Sequence, residues 1–280
     1  MKKYAANSKL FCLVSCLYYY IAGGMFILIS LIPHIMNVVL PLNESRPIIM
    51  PYEAYYFVDS EKYFFYILFH AFVSVEICLT AMIAHDSMIV AYIQHACSVF
   101  AVAGFRFQTL SRNVRDNAIN ITNPNDVYYQ NIAISVHAHW RALRFAQLLE
   151  SIFCVTFAVQ LIIITVAMSI SLLQIMLQLN EVLEVLRCAS FVFNQIVHLF
   201  YFSVQGQRLI DHSMQIRDKI YNSSWYNIPP KSQRLLLHVM LRSMQPNFLS
   251  AGKMYIFSLK SFTTVVQTSV SYFTVFASFQ

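Results

Sequence analysis

Residues 148–173 constrain this chain more than any other stretch, because they carry a single charged side chain, Glu150. As a helix they would be about 39 Å long at ~1.5 Å per residue, more than the ~30 Å hydrocarbon core of a bilayer. A helix apolar on every side belongs in the centre of a large protein or in a membrane. Of the 280 residues, 58% are hydrophobic and 11% are charged. A soluble domain carries about 25% charged residues, so this chain lacks the polar surface to keep such a helix in a water-soluble core. Lipid is the matching solvent. In lipid each backbone polar group must be satisfied within its own segment, and this favours helices. The expected fold is an all-α polytopic membrane helix bundle.

Five spans are expected. The first covers residues 10–39 and is interrupted late by Pro33. The second covers residues 63–84, and its apolar pattern continues past His85 and Asp86 to Gly104, so this helix leaves the bilayer and carries on. Residues 148–173, 185–204 and 257–279 supply the other three. The apolar run after Met-Lys-Lys is far longer than the ~7–15 residues of a signal-peptide core, so it reads as a span. With five spans the termini face opposite sides. Of the 19 Lys and Arg, only Arg46, Lys62 and Arg187 fall on one set of flanks; the remaining sixteen share the other. Basic residues gather in cytoplasmic loops, which puts the N-terminus inside and Gln280 outside. Among the sequons, Asn43 falls outside the cell and is available for glycosylation, whereas Asn120 and Asn222 fall inside.

Residues 206–256 mix basic and apolar side chains at helical spacing, including Leu235, Leu236, Val239 and Met240. Short amphipathic helices packed under the membrane are expected there. The six cysteines are scattered without a CxxC pair, which gives no zinc or redox signature. Nine histidines yield no metal motif; His137 and His139 would point apart on a helix. Nucleotide-binding and hydrolase motifs are absent from the sequence, so no enzyme is expected. The basic residues do not line one face, which argues against nucleic acid. His70 and Glu76 lie inside the second span. Ionisable groups at such depth either face a cavity or bond to another helix.

The last span is unusually polar. Lys260, Thr264, Gln267, Ser271 and Ser278 follow spacings of three and four, a continuous stripe with Thr274 or Val275 completing it. In lipid this stripe must face protein or water. It either joins helices or lines a water-filled path.

Several ordered segments resemble the insect odorant receptor family. They run from Gly206-Gln207-Arg208-Leu209-Ile210-Asp211-His212-Ser213 through Ile220-Tyr221-Asn222-Ser223-Ser224-Trp225-Tyr226 to Met244-Gln245-Pro246 and Ala251-Gly252-Lys253. Phe262-Thr263 and Ser271-Tyr272-Phe273-Thr274 complete the series near the terminus, and His85-Asp86-Ser87 with Gly104-Phe105-Arg106 extend it upstream. The family has seven spans. Counted from the C-terminus, the five here resemble helices three to seven, so the first two are expected to be missing, as in a fragment or a degenerate copy.

The resemblance implies a subunit of a ligand-gated, non-selective cation channel for olfactory detection. The expected setting is the plasma membrane of olfactory sensory neurons. The implied partners are the odorant co-receptor, in a heterotetramer, and a small volatile ligand; no cofactor is implied. The implied layout has residues 1–205 as transmembrane helices three to six, 206–256 as a cytoplasmic anchor-like segment and 257–280 as the pore-lining helix. Val275 and Phe279 then fall at the hydrophobic gate, with Thr264, Gln267 and Ser271 on the same helix. The family's pocket lies in the outer half of the bundle. Its candidates here are Phe26 and Ser30; Phe69, Phe72, Val73 and Glu76; and Phe191, Asn194 and His198. A gustatory-type chemoreceptor is the first rival, though its last helix carries a different aromatic–Gln pattern. A G-protein-coupled receptor would reverse the charge bias. A transporter would show broken mid-membrane helices, hinted at only by Gly23-Gly24. The co-receptor itself would need a long insertion in the second cytoplasmic loop.

Overall fold

The computed structural model describes residues 2–40, 50, 54–59, 62–117, 124–177 and 182–277. Asn43, Asn120 and Phe279 lie outside them. Helices dominate: α1 (Lys2–Val39), α2 (Phe64–Asn117), α3 (Pro124–Leu177), α4 (Val182–Tyr221), α5 (Pro230–Ser243) and α6 (Leu259–Ala277). Helices α1 to α4 are each long and apolar enough to cross a membrane. The fifth expected span corresponds to α6, long enough with 19 residues but more polar, as its Ser, Thr and Gln content requires.

Pro33 does not interrupt the first span. It lies inside α1, which continues to Val39. Proline removes one backbone hydrogen bond, and membrane helices tolerate it because neighbouring helices and side chains can satisfy the freed group. Likewise α2 and α3 extend far beyond their apolar runs, each to 54 residues, about 81 Å at the helical rise. The expected continuation of the second span is therefore real and longer than Gly104. Helix α4 also runs on past position 205 to Tyr221, so the 205/206 boundary read from composition falls within a helix.

Residue contacts divide the chain into two compact units. The first holds Met1–Ser8, Val90–Ile162 and Leu199–Gln280. Its interior is dense. On α2, Val90, Ile93, Ala96, Phe100, Ala103 and Phe107 are wholly buried at helical spacing. Phe157 of α3 meets Phe202 of α4 at 5.5 Å between ring centroids and Phe257 at 4.8 Å, and Phe202 lies 6.1 Å from Phe257. Aromatic pairs at such distances add about 0.5–1.5 kcal/mol each beyond area burial. Gly206 makes the junction possible. A Cβ there would lie 2.1 Å from the carbonyl oxygen of Phe257, so only a bare α-carbon lets that strand of backbone cross α4.

Beyond α4 the chain makes a 3₁₀ turn (Trp225–Asn227) and enters α5 with Pro230 in its first turn. The Gln233 side chain ties this entry by donating to the carbonyls of Ile228 (2.8 Å) and Tyr226 (3.1 Å). Helix α5 is amphipathic as expected, burying Ser232, Leu236, Val239 and Ser243. A small antiparallel hairpin follows, β1 (Ser250–Ala251) and β2 (Tyr255–Ile256), which the sequence pattern did not announce. Its turn holds Gly252 and Lys253 at φ 58° and 60° and is closed by the Met254 N–H donating to the Ala251 carbonyl at 3.1 Å. The Gly252 N–H donates to the Cys154 carbonyl of α3 at 3.1 Å, and the Phe257 N–H to the Leu249 carbonyl at 3.0 Å. Ser258 then caps α6, its Oγ accepting from the Ser261 N–H at 3.1 Å.

The second unit comprises Lys9–Ile89 and Ile163–His198. Its apolar cluster is small, with Ile27, Phe64 and Leu68 buried together and Phe26, Leu31, Met50 and Val75 packed on it. The His34 ring stacks on Phe64 at 5.1 Å. Leu13, Leu17, Ile21, Leu28, Ile163, Val166 and Ile170 are all more than half exposed. Apolar exposure on that scale suits lipid rather than water. All six cysteines are free.

Candidate functional site

The second unit sets a polar seam into otherwise apolar helices. Asn194 and His198 lie one turn apart on α4 and so share a face. Asp86, on α2, is 3% exposed and His198 5%; the imidazole Nε2 lies 2.8 Å from a carboxylate oxygen of Asp86. Tyr19 of α1, itself buried, directs its ring edge-on to His198 at 6.2 Å. Its neighbour Tyr18 donates its hydroxyl proton to the Asn194 Oδ1 at 2.8 Å. The amide nitrogen of Asn194 donates to the Ser190 carbonyl at 2.8 Å, which fixes the orientation of the amide. Three helices thus hold donors and acceptors among aromatic rings and aliphatic helix faces. That composition suits orientation of a small, mostly apolar molecule. Among the described residues, no group of three His, Cys, Asp or Glu is arranged to hold a metal ion.

The candidates named from sequence scatter around this seam. Asn194 and His198 are part of it. Ser30 is 1% exposed and its hydroxyl has no partner among the described residues, and Phe26 packs on the Ile27–Phe64–Leu68 cluster. Glu76 and Phe191 are half-buried. Phe69, Phe72 and Val73 are exposed along one face of α2, Phe69 by 68%. Tyr18, Tyr19 and Asp86, which the structure adds to the seam, were not singled out by the sequence pattern. Asp86 carried a readable signal, because an acid within an apolar helix is costly and marks a site by default; ending the second span at residue 84 put it outside.

Of the stripe expected on α6, Ser278 lies outside the described residues, and the part up to Ser271 is not set apart by its exposure. Thr264, Gln267 and Ser271 are exposed, as is every residue from Thr263 to Ser269. The hydroxyls of Thr264, Thr268, Ser269 and Ser271 donate to carbonyls four residues earlier at 2.8–3.0 Å. This back-bonding lowers the cost of exposing them to an apolar neighbour. Val275 lies on α6, and Phe279 is beyond the described residues.

Comparison with known proteins agrees with this architecture. Residues 3–270 match the model of the 7tm odorant receptor family. Odorant receptor 82a of Drosophila melanogaster is 23% identical over 210 residues, 73% of this chain and 54% of that protein. Odorant receptor 13a of the same species is 24% identical over 269 residues, 87% of this chain and 63% of its own length. The chain thus spans little more than half the length of these relatives. Among solved structures, the insect olfactory receptor OR5 from Machilis hrabei in complex with eugenol superposes with a TM-score of 0.71 at 14% identity. That match covers 100% of this chain and 70% of the other, and it establishes the shared polytopic helical bundle. A family match running nearly from end to end, on a fold shared with an insect olfactory receptor, makes this chain a member of the 7tm odorant receptor family.

Proposed function

We propose that this chain is an odorant-binding subunit of a ligand-gated, non-selective cation channel, assembled with the odorant co-receptor in a heterotetramer. Its place in this reading is the plasma membrane of olfactory sensory neurons, with the N-terminus inside. The observation that carries the reading is the surface of α6. Exposed on all sides from Thr263 to Ser269 within its own unit, it offers a polar stripe to water and an apolar flank to another subunit. In this reading α6 lines the pore, with Val275 and Phe279 at a constriction that gates by dewetting. Residues 206–256 anchor subunits to one another below the membrane, and residues 1–205 supply transmembrane helices. The seam of Tyr18, Asn194, His198 and Asp86, with Phe26, Ser30, Glu76 and Phe191 nearby in sequence register, orients a small volatile molecule. The ligand shifts the population only by binding the open arrangement more tightly than the closed one.

The test is co-expression with the co-receptor in oocytes and recording of odorant-evoked current. The chain is assayed both as it stands and extended to the length of its relatives. Odorant-evoked currents that His198→Ala weakens support the reading. Silence of both versions across a broad odorant panel, with surface expression and a working co-receptor confirmed, refutes it.

A further inference from the structure

A cavity of about 370 Å³ opens in the first unit between Ala146–Glu150 of α3, the end of α5 and the β-hairpin. It stands apart from the receptor reading, since it uses neither α6 nor the Asp86–His198 seam. Its polar groups are Gln147, Glu150, Arg242, Asn247 and Lys253, and Phe248 and Ile256 contribute to its apolar wall. The one carboxylate is already engaged, as Glu150 accepts from the Ser250 hydroxyl at 2.6 Å. Neither Arg242 nor Lys253 is ion-paired among the described residues. Arg242 spends one N–H on the Gln245 carbonyl at 3.2 Å and keeps the others.

Asn247 gives the second, independent observation. It is 8% exposed, its backbone N–H donates to the Ser213 hydroxyl at 3.1 Å, and its side-chain Nδ2 has no hydrogen-bond partner among the described residues. A buried amide donor is costly when unsatisfied, so this one calls for an acceptor in the cavity it lines. Lys253 adds a third sign. It sits at φ 60°, where glycine is at ease and a lysine is strained, and such strain gathers at functional positions.

We infer that this cavity binds a phosphate monoester carried on an apolar body. Two unpaired cations match a dianion. Guanidinium, ammonium and amide form three separate donors, one for each terminal oxygen of a phosphate monoester, and charge-assisted bonds to phosphate are the strong ones. The apolar wall receives the body. The same chemistry is offered by the headgroup of phosphatidic acid in the adjoining leaflet and by a free phosphate monoester.

The test uses the full chain in phosphatidylcholine nanodiscs with two probes, phenyl phosphate in solution and phosphatidic acid mixed into the bilayer. Native mass spectrometry counts what stays bound, and a titration gives the affinity. At least one probe is expected to bind. Arg242→Gln and Asn247→Asp each weaken it by roughly tenfold or more, from the loss of a bond to a charged group. Glu150→Gln tightens it by removing the opposing charge. Lys253→Gly decides the matter, because it deletes the ammonium while relieving the backbone, so affinity falls about tenfold in a protein that melts no lower than the parent. Binding of phosphatidic acid alone makes the site a lipid site, and binding of phenyl phosphate alone a site for a soluble ligand. Binding of neither probe, or unchanged affinity in Lys253→Gly and Asn247→Asp, overturns the proposal.

Discussion

Asp86 and His198 are 112 positions apart in sequence, and their 2.8 Å contact shows how a pair of ionisable groups is accommodated among apolar helices. Removing one member leaves the other buried without its partner, at a cost of about 1.5–3 kcal/mol. Asp86→Ala and His198→Ala are each expected to lower the thermal midpoint of the detergent-solubilised protein. The double variant should lose clearly less than the two losses added, a coupling of about 0.5–3 kcal/mol; strict additivity would mean that the two do not interact. Gly206→Ala brings a methyl group to where the Phe257 carbonyl now lies. Relief requires backbone movement, so a loss of about 2 kcal/mol or more is expected, visible as early melting or poor surface delivery. Lys253→Gly acts in the other direction. Lifting the left-handed strain returns about 1–2 kcal/mol, and the greater freedom of unfolded glycine takes back about 0.5–1, so a small rise in melting temperature is expected. Of the residues in the polar seam, Asn194 and His198 were legible in sequence as polar groups inside a span. Which residues they would meet was not. Tyr18 is one of three consecutive tyrosines on α1, and only the packing of helices far apart in sequence selects among them.

At the level of elements, apolar length carried most of the information. Four of the expected spans fall on α1 to α4, helices long and apolar enough to cross a membrane, because continuous hydrophobicity leaves few alternatives to a helix in lipid; the fifth overlaps the more polar α6 (Leu259–Ala277). Where those helices stop was poorly legible. The polar ends of α2, α3 and α4 continue as helix because one face stays apolar, as Leu209, Ile216 and Ile220 do on α4, all essentially buried. The hairpin was illegible for a different reason, since strands of two residues have no period to read. For α6 the spacing predicts a polar stripe, but every residue from Thr263 to Ser269 is exposed, so exposure alone does not single the stripe out. If this helix lines a pore, Val275→Ala shortens an apolar side chain at the constriction and eases its wetting. Co-expressed with the co-receptor, the variant should then show raised leak current or altered rectification. Parental values for both would remove Val275 from the gate.

For the whole molecule, the charge asymmetry of the flanks makes a prediction that no contact within the chain can supply. An epitope placed before Lys2 should stay shielded in intact cells and become accessible after permeabilisation, whereas one placed after Gln280 should be reached without it. Labelling in the reverse order would contradict the inside N-terminus and with it the odorant-receptor topology proposed above. The family itself could be read from ordered C-terminal segments such as Gly206-Gln207-Arg208 and Ala251-Gly252-Lys253, and the structure gives several of these residues physical work. Gly206 admits the backbone at Phe257, Gln207 accepts from the Leu259 N–H at 3.3 Å, and Gly252 and Lys253 make the turn of the hairpin. These contacts gather at the base of α6, where Phe257 packs against Phe157 and Phe202 and Ser258 caps the helix. The far end has no such hold within its own unit up to Ser269. A rod gripped at one end is a lever, and its fulcrum here is Phe257. Over 19 residues, about 28 Å of helix, a tilt of roughly 5° at the fulcrum swings the tip by about 2.5 Å, nearly the width of a water molecule.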